Sequence, residues 1–117
     1  MEQFKSFLNE QPEKTSLSIM FLGDIMQHEM QLKKAWNGEE YDYEKFLKYI
    51  KKDLKSVDFC VGNLETVFGK GLPSGTKPFN SPDKLAYNLI NSGINCLVTA
   101  NNHSTDMGTQ GVVRTID

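Results

Sequence analysis

Four side chains with the chemistry of metal ligands or acid–base groups, Asp24, Glu65, Asn102 and His103, each lie just beyond an apolar, strand-like run. The runs cover residues 17–22, 57–61 and 94–99. Loops that leave the carboxyl ends of strands in an open parallel sheet share one edge, so three such endings are expected to gather these groups in a single crevice. Carboxylate and amide oxygens with an imidazole nitrogen are a donor set suited to a divalent cation.

Each residue also has a plainer reading. Asp24 is a metal ligand, a helix cap or a solvent-facing turn residue. His28, four residues on, meets Asp24 across one helical turn and adds a nitrogen donor if that stretch is helical; otherwise it is a surface histidine. Asn63 and Glu65 lie two apart, so an extended backbone sends both to the same side, whereas a turn would let Asn63 bond its own backbone. Residues 100–106 crowd two amides, His103, Ser104 and Asp106 into one loop. Asn102 can offer an amide oxygen to a metal, and His103 can ligate, donate a proton or contact an oxyanion; the same loop would equally serve to cap the final helix.

The elements that must position these groups alternate strand with helix, which predicts right-handed crossovers and a parallel sheet, an α/β fold. Tyr43, Phe46, Leu47, Ile50 and Leu54 recur at helical spacing behind Asp42 as N-cap, predicting one amphipathic crossover helix. Ser81 as cap, Pro82 at the first helical position and Gly93 as stop predict a second helix over 82–92. Between them, residues 66–81 are rich in Gly, Pro, Ser and Lys and are expected as a long surface segment able to act as a substrate flap. Gly108 and Gly111 flank the start of a third helical pattern that runs to Asp117, where no cap follows. The sequence is therefore expected to be an N-terminal piece of a larger domain, with residues 1–16 a lead-in, carrying Phe4, Phe7 and Leu8 on a short helix, and 17–117 the truncated half-domain. An unpaired sheet edge and an apolar helix face then predict self-association.

At 117 residues the chain is one domain at most. Its net charge of -2 gives no general attraction to nucleic acid or anionic membrane. No apolar stretch reaches membrane-spanning length, and the opening residues lack a signal-peptide core, so the chain itself is expected to be soluble. Cys60 and Cys96 each fall inside an apolar run and are expected as buried free thiols. The Gly23-Asp24-Ile25 turn lacks the spaced glycines of a dinucleotide site, which disfavours a nucleotide-binding domain.

Phe21-Leu22-Gly23-Asp24-Ile25-Met26, Asn63-Leu64-Glu65, Phe79-Asn80-Ser81-Pro82, Ala100-Asn101-Asn102-His103-Ser104-Thr105-Asp106 and Gly108-Thr109-Gln110-Gly111, in this order, resemble motifs of the bacterial capsule-synthesis CapA family, the poly-gamma-glutamate capsule biosynthesis proteins. That family is related to the calcineurin-like metallophosphoesterases, and the resemblance runs from about Ser18 to the end. It implies a layered metallophosphatase-like sandwich holding two divalent ions, with manganese, iron or zinc suited to the donors. Carried over by residue, Asp24 would bind the first ion, Glu65 would stand in the place of the bridging carboxylate, Asn102 would bind the second ion, and His103 would face substrate. Related phosphoesterases place the first histidine two residues after the first aspartate; here the interval to His28, the remaining ligand candidate, is four. His28 and His103 are the only histidines, so the resemblance further implies that later strands complete the ligand set and that this chain alone binds metal weakly and is inactive.

Two functions from different classes follow from the resemblance. One is metal-dependent hydrolysis at a phosphoryl or acyl centre, with poly-gamma-glutamate, another anionic polymer or a phosphoester as substrate. The other is a non-catalytic cell-envelope protein that uses the same crevice to bind a polyanion or assist polymer assembly.

Overall fold

The computed structural model describes residues 16–117; the short first helix expected around Phe4, Phe7 and Leu8 lies outside them. The elements run β1 (Ile19–Ile25), α1 (Glu29–Ala35), α2 (Glu44–Leu47), α3 (Lys51–Leu54), β2 (Phe59–Leu64), α4 (Asp83–Ser92), β3 (Cys96–Val98) and α5 (Gly108–Ile116). The three strands form one parallel sheet in the order β1-β2-β3 with helices in the crossovers, which is the α/β class expected. No helix among the described residues is long and apolar enough to cross a membrane.

Strand parity decides what each sheet face carries. Cys60 and Leu64 of β2 are buried and pack with Leu54, Leu85, Leu89 and Ile94, which makes this face the core. The opposite face pairs Ile19 with Phe59, Phe21 with Val61 and Val61 with Cys96, and it is open, with Phe21 76% exposed. Cys96 lies on the open face and is exposed, contrary to the expected burial, while Cys60 is buried; both are free thiols.

The second crossover follows its local signals closely. Pro82 takes an extended backbone, so α4 begins one residue later than expected, at Asp83. Gly93 stops it in the left-handed region at φ 108°, a conformation that costs glycine little and other residues much, and its N–H returns to the carbonyls of Leu89 and Ile90. The first crossover departs from expectation, because the single helix predicted behind Asp42 is divided into α2 and α3 by a turn at 48–50. Asp42 does bond at its start, Oδ1 accepting from the Glu44 N–H at 2.9 Å, but the N-cap position itself falls on Tyr43, one residue later than expected. The apolar stripe does not all face inward: Tyr43 and Leu54 are buried, whereas Phe46 and Ile50 are exposed.

Candidate functional site

Asp24 sits inside β1 rather than in the loop beyond it. Phe21 pairs with Val61 but Asp24 pairs with Asn63, so β1 fits one extra residue into that interval. Simple alternation from Phe21 would turn Asp24 to the opposite face. The extra residue restores it to the side of Asn63, as a bulge re-aims a side chain. Asn63 Nδ2 then donates to Asp24 Oδ1 at 2.8 Å. Asp24 Oδ2 has no hydrogen-bond partner among the described residues.

The third strand joins through an amide. Asn101 Nδ2 donates to Asn63 Oδ1 and to the Leu64 carbonyl, both at 2.9 Å, and Asn101 Oδ1 accepts the backbone N–H of His103 at 3.0 Å. Asp24, Asn63, Asn101 and the His103 backbone thus form one hydrogen-bonded line across the ends of all three strands. The turn reading of Asn63, in which it would bond its own backbone, gives way to this cross-strand role.

His103 is gripped from a second direction. Its Nδ1 lies 2.9 Å from Asp106 Oδ2, and the same oxygen accepts the Phe79 N–H at 2.7 Å. The Asp106 side chain is 3% exposed and that of His103 13%. Burial pulls the Asp106 carboxyl upward, but the Phe79 amide, His103 and the charge of Lys77 outweigh it, and the group settles below its ordinary range. The Phe79 ring meets both imidazoles edge-on, with centroids 4.8 Å from His103 and 5.4 Å from His28.

His28 itself is the N-cap of α1, exposed, its backbone N–H donating to Gln31 Oε1 at 2.8 Å. The helical turn that would have paired it with Asp24 does not form, because the ladder with β2 claims residues 24 and 25. Glu65 extends that ladder by one step, its N–H donating to the Ile25 carbonyl at 3.0 Å, and its side chain is half-buried. Asn102 is exposed at the tip of the β3 loop. Among the described residues no three His, Cys, Asp or Glu side chains cluster closely enough to hold a metal ion. The donors that the strand ends offer are two carboxylates and an amide oxygen, a set chemically suited to a hard or borderline divalent ion but small in number.

Residues 66–81, expected as a flap, are fastened at both ends. Val67 bridges Asn80, the Ser81 N–H donates to the Val67 carbonyl at 2.8 Å, and Asn80 Oδ1 accepts the Gly69 N–H at 2.7 Å. Further along, Gly75 N–H donates to Glu29 Oε1 at 2.9 Å, and an added Cβ at Gly75 would stand 2.1 Å from the Glu29 nitrogen. Even the tip is tied through its backbone, the Leu72 carbonyl accepting from Asn80 Nδ2 at 3.1 Å, although the Leu72 residue is 90% exposed. Beneath the rim a buried polar set ties the same loops: Tyr43 Oη donates to Gln27 Oε1, Gln27 Nε2 donates to Ser81 Oγ at 2.7 Å, and Ser81 Oγ lies 2.9 Å from Thr66 Oγ1. Burial pushes the Tyr43 phenol well above its ordinary range despite the opposing bond to Gln27, so it remains a neutral donor.

Sequence reasoning singled out Asn102 and His103 but gave no role to Asn101 or Phe79 and none to Asp106 beyond its presence in the loop. The available signals were the doubled amide and the three-residue interval from His103 to Asp106, which a tight turn closes.

Residues 18–117 match the family model described as bacterial capsule synthesis protein PGA_cap. No curated protein matches the chain at a significant level.

Proposed function

The chain belongs to the bacterial capsule synthesis protein family, and from that premise we propose that its strand-end rim is part of a divalent-metal site in a metallophosphoesterase-type hydrolase core. The observation that supports this reading most strongly is the line of hydrogen bonds from Asp24 through Asn63 and Asn101 to the His103 backbone. Asn63 spends both its polar atoms on neighbours and so acts as a strut that leaves one Asp24 oxygen free. In this reading Asp24 and Glu65 offer carboxylate oxygens, Asn102 an amide oxygen, and His28, whose ring meets Phe79, a subsidiary nitrogen. His103 meets the substrate, as an acid or as a partner to a developing oxyanion.

Two ions of manganese, iron or zinc would supply Lewis-acid activation and offset the charge that develops at a phosphoryl or acyl centre. The donors within residues 16–117 are too few to fill two coordination spheres, so this chain alone binds metal weakly and turns over little or no substrate. Fitting substrates are anionic: poly-gamma-glutamate, a related polymer or a phosphoester, met at the cell envelope.

The test is metal uptake by titration calorimetry, with hydrolysis assayed in the complete protein with and without chelator. Asp24→Ala and Asn102→Ala should each abolish uptake and metal-dependent cleavage while the circular dichroism spectrum is retained. Undiminished metal stoichiometry in both variants would overturn the reading. A second reading, polyanion binding without turnover, draws on the absence of any cluster of three His, Cys, Asp or Glu among the described residues. Metal-independent binding of poly-gamma-glutamate, with no cleavage, would favour it.

A further inference from the structure

We propose that Asp106 is a positioning residue that, together with the Phe79 backbone amide, commits His103 to the tautomer with its proton on Nδ1 and leaves Nε2 as the only ring nitrogen able to meet a ligand. For the use made of Nε2 the inference rests on the function proposed above; for the tautomer it stands on the geometry around an ionised Asp106. Asp106 Oδ2 faces two nitrogens, Phe79 N at 2.7 Å and His103 Nδ1 at 2.9 Å. The Phe79 amide is always a donor, so Oδ2 accepts there, and with the carboxyl ionised the hydrogen between Oδ2 and the ring comes from Nδ1. The low-lying carboxyl of Asp106 agrees, since an ionised carboxylate has no proton to give.

Three further contacts remove the freedom the ring would need to turn over. Phe79 packs edge-on at 4.8 Å with an interplanar angle of 82°, the His103 N–H is held by Asn101 Oδ1, and Ser104 Oγ donates to the Asn101 carbonyl at 2.9 Å. Nε2 has no hydrogen-bond partner among the described residues. A carboxylate on one ring nitrogen is the usual means by which a histidine is presented through the other. The arrangement also gives the long 66–81 segment a purpose that a mobile flap would not serve: through one residue, Phe79, it supplies the ring wall and the amide that fixes Asp106.

The chain contains two histidines, so ring nitrogen resonances of uniformly 15N-labelled protein are assigned with a single variant, His28→Gln. Spectra are recorded metal-free at about pH 9, where imidazole is neutral. The expected result is His103 protonated on Nδ1 in the wild type. Asp106→Ala should move the proton to Nε2, the form that an unconstrained histidine side chain favours. Asp106→Asn should restore Nδ1–H, because the Phe79 amide forces the Asn oxygen, not its nitrogen, into the shared position. An Nε2–H ring in the wild type or in Asp106→Asn would overturn the proposal, as would an unchanged ring in a folded Asp106→Ala. If Asp106→Ala does not fold, the other two spectra still decide. Because the readout needs neither metal nor activity, loss of the proposed metal site would leave it standing, and its failure would leave metal uptake by Asp24 and Asn102 untouched.

Discussion

His28 and His103 both meet the ring of Phe79, yet their surroundings differ in kind. His103 has a buried carboxylate on Nδ1 and an amide oxygen on its backbone N–H, and its side chain is largely enclosed. His28 is exposed, caps a seven-residue helix, and has the edge of Phe79 as its ring contact. The first sits on a loop tied to the end of β2 and, through Asn63, to β1, and the second at the start of a helix. Both histidines enter the proposed site, and they differ in the groups that fix the direction of the ring.

The contrast is sharpest if the tie itself is cut. Asn101→Ala removes two donations and one acceptance at the junction of all three strands, leaving Asn63 Oδ1, the Leu64 carbonyl and the His103 N–H to find other partners. A loss of about 2–3 kcal/mol in urea unfolding is expected. Gly75→Ala tests the fastening of the 66–81 segment near His28. Its Cβ would meet backbone atoms of His28 and Glu29 rather than flexible side-chain ends, so the segment must lift, at about 1–3 kcal/mol. Gly23→Ala, with nothing within 4 Å of the added carbon, is the control.

Acid separates the two histidine environments next. The Asp106 carboxyl is lowered in the folded state, so its contribution is fully present above the unfolded value of about 3.9 and is lost as pH falls through the lower folded value. Asp106→Asn should flatten the decline in urea midpoint between neutral pH and about pH 3, whereas a slope identical to wild type would mean that Asp106 is not held as described. The smallest effect is expected at His28: His28→Ala should alter stability by no more than about 0.5 kcal/mol. A larger loss would place His28 in the same tied class as His103 and erase the distinction.

Much of the frame was legible because it follows from periodicity. Apolar runs marked the three strands, and Gly93 marked the end of α4 to the residue. The amphipathic stripe from Tyr43 to Leu54 misled, since spacing reports which residues share a helix face and not how deeply each is buried; the turn at 48–50 lies between Phe46 and Ile50, both exposed. Cys96 was misread for a related reason, as an apolar run does not reveal that one sheet face is open. At the rim the sequence marked Asp24, Asn63 and the 100–106 loop, but which amide bonds which carboxylate depends on an extra residue in β1 and on parallel register, neither of which leaves a periodic trace. The pairing of Asp106 with the Phe79 amide joins residues 27 apart and is invisible to any local pattern.

The most direct test of the strand-end account is titration of the 15N-labelled chain with substoichiometric Mn²⁺, whose paramagnetism broadens nearby amides even when binding is weak. The account predicts that the signals of Asp24, Glu65, Asn102 and His103 vanish together, and that Asp24→Ala protects all four. Broadening centred on other carboxylates, such as Glu39 and Glu40, with the four rim signals intact would contradict it.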